Sequence, residues 1–252
     1  MRINTRVLFL LAIVTMILSS CGDDVVLMVN DLETGSEYQP ATEGQFWTYR
    51  IDSTIVTRSG TTVFTEGSSS FIRETLSSSF LSPNGDTTFV LERSISDQEA
   101  GPFFSTDLWT LEKTEDRLTR VEENLSFTKM LFPIRVGALW DGNQFDDRIQ
   151  TPVAQQIVEI YRDWDYEIIS NTATTEVNGV TYDNVLVVQQ ANFETALELR
   201  RSTEWYAPNI GLIRREMEIF DTQCIDPACQ SQPWLDKAEA GFQLVQTLVD
   251  FN

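Results

Sequence analysis

The 252-residue sequence contains no histidine. Without an imidazole, a Ser-His-Asp triad, a Cys-His dyad and the common histidine-ligated zinc and iron sites are all excluded. Catalysis would have to use carboxylates, a lysine or tyrosine base, or a metal held by oxygen ligands alone. No phosphate-binding loop, nucleophile elbow or dinucleotide fingerprint is present either. We therefore expect no cofactor, and no residue stands out as catalytic.

Basic residues are scarce: 18 Lys and Arg stand against 38 Asp and Glu, for a net charge of −20. Such a chain repels nucleic acids and anionic membrane surfaces, so we expect no nucleic-acid partner. The first 20 residues differ, because they carry Arg2 and Arg6 and no acidic residue. Removal of that segment would leave the rest of the chain more negative still.

Only three cysteines occur, and the first follows a secretory signal. After the positive start, residues 7–18 form an apolar run that is too short to span a bilayer, which needs about 20 such residues. Residues 18–21, Leu-Ser-Ser-Cys, resemble the lipobox of bacterial lipoproteins. The resemblance implies cleavage before Cys21 and lipid on its sulfur and its new amine, which anchors the protein stably in a membrane. An ordinary signal peptide with a chance cysteine is the alternative.

The residues after Cys21 bear on which membrane is involved. Gly22-Asp23-Asp24 resembles the surface-export signal of Bacteroidota lipoproteins, whereas an Asp directly after the cysteine, the inner-membrane retention signal of enterobacteria, is absent. We expect an outer-membrane protein, either periplasmic or surface-exposed. Two aspartates in a solvated tether are the alternative explanation.

The other two cysteines, Cys224 and Cys229, enclose four residues that include Pro227. In an oxidising compartment a disulfide is expected, and it would contribute roughly 2 kcal/mol for so short a loop. A metal site would need further thiolates or histidines, which the chain lacks.

From about residue 38 the pattern is typical of strands. Residues 163–168 alternate acidic with bulky apolar side chains, which predicts that Trp164, Tyr166 and Ile168 share a buried face. Asn-Gly pairs at 84–85 and 178–179 are typical of hairpin turns. The chain thus predicts an all-β or β-rich α+β fold, with about ten to twelve antiparallel strands in a half-barrel or barrel-like sheet. Only 151–161 offers a helical alternative.

The expected organisation is a signal peptide at 1–20, a lipidated tether at 21–37 and a globular domain at 38–252. Within the domain, the spacing Pro-x3-Gly-x2-Trp occurs twice, each time after an aromatic residue. The copies are Pro40, Gly44 and Trp47, and Pro133, Gly137 and Trp140. They indicate either two similar halves, 38–131 and 132–252, or one strand-entry device used twice.

These two segments, together with 178–185 and 204–216, resemble cell-envelope lipoproteins of Bacteroidota of the Cytophagales and Flavobacteriia type. The motifs are short and structural. The resemblance implies an envelope location and a strand-rich fold similar to the lipid-binding half-barrels of the LolA kind, and it transfers no activity.

Candidate sites are few. Asp141, Asn143 and Asp146 offer the oxygen ligands of a calcium loop but lack its spacing, so we expect no metal. Trp109 and Trp234 lie outside the strand-entry motifs and could stack on sugars.

Three functions follow in order of preference. The first is a non-catalytic module that binds a protein, glycan or small ligand. The second is a LolA-like carrier of a lipophilic ligand, and the third is a glycan-binding module or carboxylate-dependent polysaccharide hydrolase.

Overall fold

A computed structural model describes residues 34–60, 62–144, 149–154 and 156–252. The predicted signal peptide, the lipidation site at Cys21 and the calcium candidate Asp146 lie outside the described residues.

Within these residues, twelve strands form one antiparallel sheet, and two more form a separate hairpin. The sheet contains β1 (Phe46–Ser59), β2 (Thr62–Leu81), β3 (Thr87–Ser96), β4 (Phe104–Lys113), β5 (Arg117–Glu122), β6 (Leu125–Leu131), β7 (Leu139–Trp140), β10 (Tyr166–Val177), β11 (Val180–Glu194), β12 (Glu198–Ala207), β13 (Gly211–Asp221) and β14 (Ala240–Phe251). The hairpin contains β8 (Gln150–Val153) and β9 (Gln156–Glu159), and the short helical elements are a 3-10 turn (Ser36–Tyr38), α1 (Pro227–Gln230) and α2 (Trp234–Lys237). The predicted all-β class is confirmed.

The order of the strands separates the two parts of the chain. It runs β6-β5-β4-β3-β2-β1-β14-β13-β12-β11-β10-β7, so β1–β6 lie on one side and the later strands on the other. The outermost strands nevertheless meet, because Thr128 N donates to Gly142 O at 2.8 Å and Trp140 Nε1 donates to Thr128 O at 2.8 Å. The sheet therefore curls back on itself and encloses an interior.

Both copies of the Pro-x3-Gly-x2-Trp spacing adopt the same backbone arrangement. The N–H and C=O of Leu76 bond to segment 44–45, and those of Ile168 bond to segment 137–138 in the same way. The glycine of each copy has a left-handed φ, 85° in the first and 82° in the second. Glycine is the residue that adopts this conformation without strain, which explains its place in the spacing.

Of the two Asn-Gly predictions, the turn at 178–179 is a two-residue hairpin loop, whereas 84–85 lies within a longer hairpin connection, residues 82–86, between β2 and β3. Asn178 and Gly179 connect β10 to β11 and both have positive φ, as a type I′ turn requires. The segment 151–161, for which a helix was the alternative, contains most of the β8–β9 hairpin instead. Ala154, which follows β8, has a positive φ of 52°, and along β9 Val158 is buried while Ile157 is exposed. The helical alternative depended on the spacing of Val153, Ile157 and Ile160, but only the first and the last of these are buried, so the three do not share one face.

Apolar side chains from alternate strand positions fill the interior. Trp164, Tyr166 and Ile168 are all buried there, as predicted. A second, smaller cluster lies on the opposite face, where Trp234 of α2 stacks on Phe220 of β13. In the same segment the predicted disulfide joins Cys224 and Cys229. In the described part of the chain, no helix has the length and apolar character needed to cross a bilayer.

Candidate functional site: a buried charge cluster and an aromatic pocket

In the described strands, six charged side chains that project into the interior are paired with one another. This interior charge cluster consists of Glu74, Arg120, Glu122, Lys129, Glu204 and Arg215. They come from β2, β5, β6, β12 and β13, at positions that alternate with outward-facing residues. With three carboxylates and three cations, the cluster is electrically balanced.

Glu204 lies at the centre and is fully buried. Its Oε1 accepts from Lys129 Nζ at 2.7 Å and from Arg215 Nε at 2.7 Å, while Oε2 accepts from Tyr206 Oη at 2.6 Å. Lys129 is on β6, at one end of the strand order, and Glu204 is on β12, on the other side. Their ion pair therefore spans the interior of the curled sheet.

Arg120 neutralises the other two carboxylates. Its Nη1 donates to Glu74 Oε2 at 3.0 Å, its Nη2 donates to the second oxygen of Glu74, and its Nε lies 3.0 Å from Glu122 Oε1. Charged groups are tolerated at this depth only when they are paired in this way.

The pairing sets the ionisation of the cluster. Burial alone raises the pKa of Glu204, but Arg215 and Lys129 outweigh it and hold that pKa well below its usual value. For Glu122, Arg120 and Arg215 likewise overcome burial and lower the pKa. Burial lowers the pKa of Lys129 to about 8, against the opposing pull of Glu204. At neutral pH both carboxylates are ionised and bound to cations.

This arrangement predicts acid sensitivity. A carboxylate whose folded pKa is depressed stabilises the fold fully above its unfolded pKa, here about 4.5, and less as the pH falls towards the folded value. We therefore expect the difference in the free energy of unfolding between wild type and Glu204→Gln to depend on pH. Below pH 4.5 it should narrow by up to about 1.4 kcal/mol per pH unit. Urea denaturation of both proteins from pH 7 to pH 3 measures this difference in the free energy of unfolding. A difference that does not change with pH would contradict the ion-paired state of Glu204.

An aromatic pocket adjoins the cluster. Its cavity of about 30 Å³ is lined by Glu122, Phe127, Lys129, Tyr161, Trp164, Tyr166, Gln190, Arg215 and Met217. A second interior cavity, of about 20 Å³, lies between Trp47, Tyr49 and Arg120. Each has room for one or two water-sized species.

Three side chains of the aromatic pocket have donor atoms without an acceptor in the described structure: Tyr166 Oη, Trp164 Nε1 and Gln190 Nε2. The rings of Trp164 and Tyr166 lie 6.1 Å apart, and Tyr161 meets Trp164 edge-on at 5.1 Å. The pocket thus combines apolar ring surfaces with buried donors.

A larger groove lies elsewhere, between the β1–β2 hairpin and the β8–β9 hairpin. Its volume is about 490 Å³. Ile55, Phe64 and Ala154 are its apolar walls, and Arg58 and Glu66 are among its polar ones. This mixed lining is unlike the continuous apolar wall that an acyl chain would contact.

The tryptophans singled out in the sequence both contact other side chains. The guanidinium groups of Arg93 and Arg120 lie over the Trp109 ring, at 4.6 and 4.7 Å from its centre. Besides its stacking on Phe220, Trp234 donates from Nε1 to Glu194 at 2.8 Å. Neither half-buried ring is an open platform of the kind that stacks on sugars.

The calcium candidates are engaged in a turn. Asn143 is buried and donates its amide to Tyr161 O at 2.8 Å, while Asp141 accepts from the Asn143 backbone at 3.2 Å. Throughout the described residues there is no group of three potential His, Cys, Asp or Glu ligands that could hold a metal.

Sequence reasoning missed the charge cluster entirely. In β13, Arg214 points outward and Arg215 inward, and a run of adjacent charges hides which face is buried. The one usable signal was Glu204, which lies on a strand between Ser202 and Tyr206 and so on the same face as an aromatic residue.

Two bacterial proteins of known structure are similar to this chain. One is a candidate exported protein with a YmcC-like fold from Bacteroides fragilis, at 13% identity and a TM-score of 0.40, covering 84% of this chain and 97% of that one. Another is a candidate lipoprotein from Parabacteroides distasonis, at 12% identity and a TM-score of 0.35, covering 86% and 98%. Neither a protein-family model nor a curated protein matches the chain.

Proposed function

We propose that the protein is a cell-envelope lipoprotein anchored through Cys21, and that its β-sheet domain binds a partner or small ligand without catalysing a reaction. The observation that carries the proposal is the interior charge cluster. Its carboxylates are bound to cations inside the fold, next to a pocket that contains buried donors without acceptors.

The state of the cluster argues against catalysis. A general acid or base works best with a pKa near the working pH and with access to substrate. The pKa values of Glu122 and Glu204 are lowered instead, and Glu204 is fully buried. Lys129 has a pKa of about 8, but its ammonium group is buried and donates to Glu204. These features suit a fixed scaffold for binding.

The dimensions of the interior argue against the carrier alternative. Cavities of about 20 and 30 Å³ are too small for an acyl chain, and charged side chains line both. The glycan alternative is weakened by the contacts of Trp109 and Trp234 with other side chains.

The anchoring part of the proposal rests on the lipobox at residues 18–21. Two acyl chains at Cys21 would hold the domain at the outer membrane, with the acidic pair at 23–24 favouring export to the surface. The membrane is then a partner through the lipid alone, and the ligand of the domain is a protein, a glycan or a small molecule.

A hydrolase screen tests the non-catalytic part. We expect wild-type protein to turn over peptidoglycan, polysaccharide and ester substrates no faster than Glu122→Gln, since that carboxylate lines the pocket. Glu167→Gln, on the outward side of β10, is the matched control. Turnover that is lost in Glu122→Gln and kept in Glu167→Gln, with both variants folded, would overturn the proposal.

A further inference from the structure

The hairpin of β1 and β2 extends beyond the rest of the sheet. β2 pairs with β1 over residues 62–75, but it pairs with β3 only over residues 71–81. Within the described residues, segment 62–70 of β2 therefore has a strand on one side and none on the other. We call this segment the free edge of β2. Its outward backbone N–H and C=O groups can pair with another extended chain.

The free edge lacks most of the features that protect exposed strands in other proteins. Such strands are commonly blocked by proline, by lysine or by a β-bulge. The free edge, Thr-Val-Phe-Thr-Glu-Gly-Ser-Ser-Ser, contains neither proline nor lysine, and its pairing with β1 has no register shift. In the described sheet, β4 and β10 also have stretches with a neighbour on one side only, but register shifts interrupt the pairing of both. The free edge of β2 is thus regular where those two are not.

The groove of about 490 Å³ lies beside this edge. Phe64 and Glu66, at alternate positions of the free edge, line it together with Ile55 of β1. The Phe64 side chain is 53% exposed. A strand added to the edge would direct every second side chain to the face that carries Phe64. Backbone pairing and side-chain contact would then occur together, as in peptide recognition by strand addition.

The charges of the groove indicate which kind of chain would bind. Arg58 is already paired with Glu239, with 2.7 Å between its Nη1 and the carboxylate. Glu66 is the other charged residue of the lining, and it is exposed. The free charge of the groove is therefore negative, and the whole chain carries −20. An acidic segment would be repelled, whereas a neutral or basic segment would be attracted.

A second copy of this chain fits the free edge poorly. Antiparallel pairing of two copies about the middle of 62–70 would set the two Glu66 side chains directly opposite each other. Like charges at such positions are destabilising, and each copy also brings a net charge of −20. We therefore expect the occupant to be a different protein.

We propose that the free edge of β2 is a docking site for an extended, non-acidic segment of another protein, which adds to the sheet as a further strand. Alternate apolar side chains of that segment would contact Phe64 and Ile55 in the groove, and a basic side chain would lie near Glu66. The site lies on the surface, apart from the interior charge cluster, and extends the proposed function to a peptide partner.

Peptide binding to the full-length protein in detergent tests the proposal. The probe is a labelled peptide of about nine residues in which valine alternates with lysine and threonine, and its counterpart has glutamate in place of lysine. Fluorescence polarisation at physiological salt should show that the lysine probe binds about tenfold or more tightly than the glutamate probe. Equal affinities, or no binding of the lysine probe, would overturn the proposal.

Two variants with the same change in charge locate the site. Phe64→Lys replaces the ring in the groove by a cation and should weaken binding of the lysine probe about tenfold or more. Phe104→Lys, at a position that is 66% exposed on β4, is the matched control and should bind the probe as wild type does. Equal effects of the two variants would show that the probe responds only to net charge, which would also overturn the proposal.

Hydrogen exchange identifies what occupies the edge. In the free protein, alternate amides of 62–70 should exchange rapidly, because only those that face β1 are paired. The lysine probe should slow the rapid amides, and a bound probe that leaves them rapid would contradict strand addition.

Slow exchange of all these amides before the probe is added would also overturn the proposal. If it depended on protein concentration, the occupant would be a second copy. If it did not, the occupant would be another part of this chain. The hydrolase screen is independent of these results, so failure of the docking site leaves the proposed function standing.

Discussion

Replacing Glu204 by glutamine is expected to destabilise the protein by about 3–5 kcal/mol, because it leaves two buried cations without their counter-charge. Lys129 and Arg215 both donate to this carboxylate, and neither has enough exposure to recover full hydration. Urea denaturation of wild type and variant at pH 7 measures the difference in the free energy of unfolding.

Glu194→Gln provides the matched control. Glu194 also pairs with an arginine, Arg201, but the two side chains are 44% and 46% exposed, so the loss should be within about 1 kcal/mol. The double variant Lys129→Met with Glu204→Gln restores charge balance and should be more stable than Glu204→Gln alone. A Glu204→Gln effect as small as the control would contradict the role of the cluster.

The second large effect is expected at Gly241, where alanine should destabilise the protein by about 3–5 kcal/mol through steric overlap and backbone strain. Gly241 has a φ of 132°, and a Cβ there would overlap the carbonyl oxygen of Ile219 and lie 2.8 Å from Phe220 Cα. Those atoms belong to β13, with which β14 pairs, so the clash would separate the two strands.

Gly67→Ala serves as the comparison. Gly67 is within β2, and a Cβ there would have its nearest neighbour, Ser53 O, at 3.9 Å. Alanine should be tolerated and should stabilise the strand by up to about 1 kcal/mol, because it reduces the freedom of the unfolded chain. Similar midpoints for the two alanine variants in thermal unfolding would show that the close contact of β13 and β14 at Gly241 is not a constraint.

The local patterns of the sequence were sufficient to predict the strands but not the side-chain contacts in the interior. Alternation placed Trp164 and Tyr166 on a buried face, and the Asn-Gly pair at 178–179 marked a hairpin, because both depend on neighbouring residues. The ion pair between Lys129 and Glu204 joins residues 75 positions apart. No local spacing contains that information, since it arises from the curl of the whole sheet.

The aromatic pocket is a second feature whose side-chain contacts could not be predicted from the sequence. Trp164 and Tyr166 were predicted to be core residues, and they are buried. What the sequence could not show is that their polar atoms, with Gln190 of the next strand, would be left without acceptors. The lack of acceptors depends on which side chains face one another across the interior. These unsatisfied donors distinguish a candidate binding site from an ordinary apolar core.

The most direct test of the account as a whole is metabolic labelling of the full-length protein with radioactive palmitate. The account predicts that wild-type protein takes up label and sediments with membranes, whereas Cys21→Ser takes up none and is released from them. Cys224→Ser, which alters a cysteine outside the lipobox, should be labelled as wild type. Absence of label on the wild-type protein, or unchanged membrane retention of Cys21→Ser, would contradict the claim that a lipid on Cys21 anchors this domain to the envelope.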